Sequence, residues 1–329
     1  MSGVRTASAR AHGKLFLAGE YAVVEPGGSA VVLGLDRGVT VRATAGPCGA
    51  DGPGGTVRSA RYGPEPRRWR GPAAGGPVWE DPQLPRDHVL AALEAVLEEA
   101  RHRGLERIRA DLEIRSDLAD ADGRKYGLGS SGAVSAAVVR AVGRALGLEL
   151  DDAAVFRLAL LAAVRIEPRA SGGDVAAACF GGWIAYRSPD RAALAASRAR
   201  RGAAETVRAE WPGLRIEPLP APAGLELLVG WTGSAASTPE LVGRVQERVR
   251  ADPAAHERFL AELGRRRAGL RAARAGGAVA ATLAAVRRAR RQLAGFGESF
   301  GTPVETPALR RLCDAAERAG AAAKPSGAG

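Results

Sequence analysis

Near its start the chain mixes β-branched and apolar residues with polar ones in a way that predicts strands. "KLFLAG" and "AVVLGLDRGVTVRATA" make residues 4–44 read as β structure, interrupted at "EPGG". "IRADLEIRS", residues 108–116, alternates as a half-buried strand does. Between them the period lengthens. Leu90, Leu93 and Leu97 share one face of a helix over 87–103, with Asp87 as its N-cap. Residues 46–82 are rich in Gly, Pro and Arg without a period, and read as a long loop or flap.

The second half continues the mixture. A helix follows "KYGLGSSG" to about Leu146, and Asp151 or Asp152 caps the next, "AAVFRLALLAAV". "SGGDVAAACF", residues 171–180, again runs small residues into a helix, and "GGWIAYR" reads as a strand. The arginine-rich helical stretch 190–210 is a candidate hinge. "LRIEPLP" and "LELLVGWTG" read as strands, and "STPELVGRVQERV" as a helix with Pro239 in its first turn. Helices are expected over 253–269 and 276–293, and a last one with Thr306 and Pro307 at its head and Gly320 at its end. The pattern predicts an α+β fold in two lobes, 1–188 and 189–329.

Composition narrows the function classes. The 329 residues are 46% hydrophobic and 25% charged, as in a globular protein. No apolar run is long enough to span a bilayer, and the N-terminus lacks a signal-peptide pattern. Cys48, Cys179 and Cys313 are odd in number and far apart, which predicts a reduced, cytoplasmic protein without a structural metal. The net charge of +11 suggests nucleic acid or an acidic small substrate. Aromatics are only 5%, so stacking platforms are scarce, and the basic excess reads as a solvated face rather than a nucleic-acid stripe.

One detail of the charge matters more than its sum. Of 47 basic residues only Lys14, Lys125 and Lys324 are lysines, and each lies beside glycine or serine. Lysine is a compact point charge suited to phosphate oxygens, whereas arginine is a planar fork. "GLGSSG" fits G-x-G-x-x-G, but the polar "ADGRKY" before it replaces the strand that a dinucleotide fold requires. Two readings stay open on these residues alone. One is a helix cap with a flexible lead-in. The other is a phosphate loop, with N–H groups from Gly127 to Gly132 around a triphosphate and the hydroxyl of Ser130 or Ser131 toward Mg2+. Asp174 is either a first-turn acid or a carboxylate that faces Mg2+ or takes a proton. "GWTGSAAST" offers the hydroxyls of Thr232, Ser234 and Ser237, or is simply a turn and a cap. His88, His102 and His256 read as solvated helical positions, and His12 has no evident partner.

Taken in order, "GKLFLAGEYAVVEPG", "KYGLGSSGAV", "SGGDVAAACFGGWIAY" and "AAAKPSGAG" resemble the sequences of the three-motif GHMP small-molecule kinases, and "GWTGSAAST" and "ETPALRRLC" bring the resemblance to the phosphomevalonate kinase branch. The resemblance runs from about residue 10 to 329. It implies a ribosomal-protein-S5-like lobe, a ferredoxin-like lobe, and ATP- and Mg2+-dependent phosphorylation of 5-phosphomevalonate. By motif, Lys125, Gly127, Leu128, Gly129, Ser130, Ser131 and Gly132 would hold the ATP phosphates, with Ser131 on the Mg2+ side and Ser130 as the alternative. Lys14 and Asp174 would be catalytic, and Lys14, Ser234, Ser237 and Lys324 would meet the acceptor. His12 stands where the family usually has proline, and the third motif stops at "KPSGAG", which raises the expectation of an incomplete second lobe. Mevalonate kinase is the nearest alternative, and a basic nucleic-acid-binding protein the alternative of another class.

Overall fold

The computed structural model describes residues 3–48, 52–71, 76–233, 279–300 and 304–327. The expected helices at 237–249 and 253–269, His256, Ser234 and Ser237 lie outside these residues.

Strands β1 (Arg5–Ala18) and β2 (Ser29–Pro47) are the spine of one sheet. They pair antiparallel along most of their length, from Arg5↔Ala45 to Ala18↔Val31. The other edge of β2 is shared end to end: Ser29–Leu33 pair with β7 (Trp183–Arg187), and Val39–Pro47 with β6 (Ile108–Ser116). β3 (Gly54–Ser59), β4 (Arg67–Arg70) and β5 (Val78–Trp79) extend the sheet beyond β6, and β8 (Arg215–Leu219) extends it beyond β7. Among the described residues, only β3 and β6 run parallel.

Of helices α1 (His88–His102), α2 (Ser130–Leu146), α3 (Asp152–Ile166), α4 (Gly173–Phe180) and α5 (Arg191–Arg208), α2 and α4 pack on this sheet, α1 and α3 pack on those two helices, and α5 packs on α1 and α3. α2 and α4 lie directly on β1 and β2. Their contact faces are alanines, among them Ala133, Ala136, Ala137, Ala176, Ala177 and Ala178, all fully buried. Small side chains let helix and strand backbones approach closely, so the starts of α2 and α4 are held against β1. Leu90, Leu93 and Leu97 of α1 are buried as their spacing requires, and Asp87 Oδ1 accepts from Val89 N at 3.1 Å and Leu90 N at 3.2 Å.

α6 (Val279–Phe300) and α7 (Pro307–Arg318) belong to the remaining part of the chain. Tyr21 stacks on Phe296 of α6 with ring centroids 4.4 Å apart, and Leu293 and Val304 complete that small apolar cluster.

Two expectations change, the loop at 46–82 and the strand at 225–230. The stretch 46–82 is not a plain loop: it holds β3, β4 and β5, anchored by buried Trp69, whose Nε1 donates to Ala110 O at 3.0 Å. The candidate hinge is α5, which is kinked at Gly202 (φ 79°, ψ 172°) and packs on α1 and α3. Arg208 forks onto Glu99 at 2.7 and 2.9 Å, and Arg198 meets Glu98 at 3.0 Å. A division at 188/189 would also part β7 from its ladder neighbour β8. Lastly, residues 225–230 form no strand, because a strand needs a ladder partner and none pairs with them among the described residues.

Candidate active site

Lys14 is aimed by an irregularity in β1. The register with β2 shifts between His12 and Lys14, and such a bulge re-aims the side chain that follows it. His12 finds a partner after all: its Nδ1 shares a hydrogen bond with Leu35 O at 2.7 Å. Gly13 is required here, since a Cβ would come 2.8 Å from Leu118 Cδ2 and 3.1 Å from Leu128 O. The bulge brings Lys14 to the glycine loop. Its backbone N donates to Leu128 O at 2.8 Å, and its ammonium donates to Gly127 O at 3.2 Å.

The loop is shaped around that side chain. Gly129 caps α2 in the left-handed region, φ 79°, and a Cβ there would come 2.4 Å from Lys14 Cγ. No side chain caps α2, so its first N–H groups are left for another acceptor. Gly132, one turn in, faces Asp174: a Cβ would come 2.7 Å from Asp174 Oδ2. α4, which carries Asp174 in its first turn, also begins with a left-handed glycine, Gly172 at φ 82°.

The third glycine segment closes the cleft. Lys324 Nζ donates to Phe16 O at 3.1 Å, to Pro325 O at 2.6 Å and to Glu20 Oε1. A Cβ on Gly327 would come 3.3 Å from Lys14 Nζ. Lys14, residues 127–132, Asp174 and Lys324 therefore meet in one place. Burial pushes the Lys14 ammonium below the ordinary lysine value; Asp174 and Glu20 pull it back up, and Lys324 adds to the lowering. Lys324, expected to touch the acceptor, directs its three protons at oxygens of the chain itself.

Behind the serines lies a cavity of about 750 Å3, a size usual for small ligands. Lys125, Ser130 and Ser131 line one end of it, and Arg58, Tyr62 and His88 line other walls. His88 corrects its reading as a solvated position. It is half-buried, its Nδ1 is enclosed without a hydrogen-bond partner, and burial holds the imidazole below its ordinary value against the pull of Asp174 and Asp87. The oxygen donors suit Mg2+: the Asp174 carboxylate lies over Gly132 in a space that a Cβ would fill, beside the serines. Mg2+ is usually held by one or two protein oxygens and completed by phosphates and water.

The pattern described as the GHMP kinases N terminal domain matches residues 87–182. A phosphomevalonate kinase of Streptomyces sp. (strain CL190) is 43% identical, over 100% of this chain and 88% of its own length. The chain belongs to the phosphomevalonate kinase family of GHMP kinases. Among solved structures, phosphomevalonate kinase of Streptococcus pneumoniae in complex with phosphomevalonate and AMPPNP aligns with a TM-score of 0.79 at 25% identity, covering 98% of this chain and 89% of that one. The Lin0012 protein from Listeria innocua aligns with a TM-score of 0.85 at 29% identity, covering 98% and 88%. Mevalonate kinase of Pyrococcus horikoshii is 30% identical, but over only 54% of this chain and 43% of its own length. The two-lobed kinase fold expected from the motifs is the fold found.

Sequence reasoning missed Glu20, Ser326 and His88. A signal was present for Glu20, the acid inside "LFLAGEY" next to scarce lysines. None was present for Ser326, whose partner is a backbone 310 positions away.

Proposed function

We propose that this chain is a phosphomevalonate kinase: it transfers the γ-phosphoryl group of ATP to the phosphate of 5-phosphomevalonate, giving 5-diphosphomevalonate and ADP. An acceptor phosphate oxygen bonds to the γ-phosphorus while the bridge to the β-phosphate breaks. The observation that carries this reading is the meeting of the Lys14 ammonium with the uncapped start of α2 and with Asp174. A second pKa of about 6 leaves the acceptor phosphate mostly ionised at neutral pH, so no strong general base is needed. The barrier is repulsion between two polyanions, and positioned positive charge lowers it.

In this reading the N–H groups of residues 129–132 and the Lys125 ammonium hold the ATP phosphates, and the cavity behind them takes the nucleoside. Lys14 bridges the group in transfer. Asp174 keeps Lys14 charged and oriented. Ser131, with Ser130 as the alternative, and Asp174 would hold Mg2+, which when bound neutralises phosphate charge. Ser234 and Ser237 are acceptor-side candidates, and Lys324 serves that side through the segment it fastens. The lobe that carries the site runs through β8, residue 219, because β8 completes its sheet.

Among the described residues no helix is long and apolar enough to cross a membrane. A cytoplasmic location goes with a diphosphate-forming kinase of free metabolites. The experiment is ADP release with 5-phosphomevalonate, mevalonate and homoserine offered in parallel. Turnover should be confined to the first. Preference for mevalonate would replace this reading with that of a mevalonate kinase.

A further inference from the structure

Glu20 has no part in the chemistry derived so far, yet it is among the most enclosed charges of the molecule. Its side chain is 3% exposed and that of its partner Lys324 is 5% exposed. Lys324 and Ser326 both reach the backbone of Phe16. Lys324 Nζ donates to Phe16 O, and Ser326 Oγ both accepts from Phe16 N and donates to Phe16 O, each at 3.0 Å. The Phe16 ring in turn lies 5.4 Å under the Lys14 ammonium. Segment 324–327 is thus fastened to β1 at three points, two residues from Lys14.

The charges of this corner balance. Lys14 and Lys324 are the cations, and Asp174 and Glu20 the anions that act on Lys14. Lys324 repels the Lys14 ammonium, and Glu20, beside Lys324, offsets that repulsion. The fastening also sets Gly327 close to Lys14 Nζ, where the absent Cβ leaves the room a phosphate oxygen would need.

We infer that Glu20, acting through Lys324 and Ser326, is a positioning residue for phosphoryl transfer: the buried Glu20–Lys324 pair latches the 324–327 segment onto β1 and so fixes where the Lys14 ammonium points. The latch rests on the kinase reading above but not on which acceptor is used. Its defect is one of turnover rather than nucleotide affinity, because the ATP side of the loop, Lys125 with Ser130 and Ser131, lies on the cavity and touches neither member of the pair.

The test uses the whole protein. Glu20→Gln leaves Lys324 charged and unpaired in a buried place and could impair folding, so Glu20→Gln/Lys324→Met, which removes both charges, and Ser326→Ala are made beside it. For each, kcat, the KM for ATP and the melting temperature are measured, alone and combined with Lys14→Met. Expected is a tenfold or greater fall in kcat for the double replacement and a threefold or greater fall for Ser326→Ala. The KM for ATP stays within threefold, and the kcat effects vanish once Lys14 is methionine. Two results overturn the inference. One is kcat within twofold of the parent in the double replacement. The other is the same fall in kcat on top of Lys14→Met, which would make the pair merely structural. Absence of ADP release with 5-phosphomevalonate in the parent would instead remove the assigned acceptor. The ratio of variant to parent on whichever acceptor is used still tests the latch.

Discussion

Helices α2 and α4 begin differently from α1, α3, α5 and α7. The latter four start at Asp87, Asp151, Asp190 and Thr306, whose side chains accept from first-turn N–H groups. α2 and α4 start at Gly129 and Gly172, left-handed residues with no side chain to offer. A glycine cap is only a few tenths of a kcal/mol worse than the best cap, so the fold gives up little stability at these two places. In exchange, at α2 the first N–H groups and the positive end of the dipole face the cleft beside Lys14 and Asp174, while at α4 Ser171 Oγ accepts from Gly173 N at 3.4 Å. The difference teaches where the sequence serves the fold and where it serves a ligand. Caps that close on themselves mark helices of the scaffold. Caps left open, on helices pressed hard against β1, mark the site.

The largest effect should come from filling the space between α2 and Asp174. Gly132→Ala puts a methyl group 2.7 Å from Asp174 Oδ2. In a helix interior alanine is intrinsically favoured over glycine, but the same methyl lies 3.0 Å from the Asp174 backbone carbon, so α4 must shift and the melting temperature is measured beside turnover. A fall in kcat of about 100-fold is expected, near 2.7 kcal/mol of barrier. Near-parental turnover in a folded Gly132→Ala protein would detach Asp174 from the mechanism.

Next comes the ammonium itself. Lys14→Ala should lower turnover by more than about tenfold, near 1.4 kcal/mol, and a smaller loss rules out the bridging role. The acid–base behaviour of Lys14 sharpens this. Burial holds its folded-state value below 10.5, opposed by Asp174 and Glu20 and assisted by Lys324. In the window between the folded and unfolded values the unfolded chain binds the extra proton, so this group's contribution to stability rises with pH. Activity moves the other way, since transfer needs the charged form. The kcat/KM profile should therefore fall on the alkaline side at a pH below the ordinary lysine range, while the melting temperature shows no parallel loss from this residue. Lys14→Arg should carry that alkaline limb upward, whatever its residual rate; a limb that stays in place belongs to another group.

How much of this was legible depends on the range of the interactions involved. α1, β6 and α7 could be read because their information is local: a cap, a period, and a proline or glycine at the ends. The glycine loops and rare lysines were legible for a related reason, since each violates the local norm of an arginine-rich chain. β3, β4 and β5 were not. "GGTVRS", "RRWR" and "VW" carry no alternation, and they are strands because neighbours pair with them and Trp69 reaches Ala110. The run at 225–230 misled in the opposite way: it has strand composition, but Leu228 is 83% exposed. His88 looked like a surface helix position and instead lines the cavity. Glu20 meets Lys324 across 304 positions, a pairing that no window along the chain contains.

The smallest effect is also the control for the opening contrast. Asp151 Oδ1 accepts from Ala154 N at 2.7 Å at the start of α3, on an exposed surface outside the cleft. Asp151→Ala strips a cap of the closing kind. It should cost about 1 kcal/mol of stability, the usual value of such a cap, and lower the melting temperature by a few degrees. Turnover and the KM for ATP should stay unchanged. Gly132→Ala should instead cut turnover heavily, with a loss of melting temperature set only by how far α4 must shift from the new methyl. The two substitutions together separate helix starts that hold the protein up from those that hold its substrate. If Asp151→Ala instead cut kcat at temperatures well below its melting point, α3 would be coupled to the cleft, and the contrast between closed and open caps would no longer divide scaffold from site.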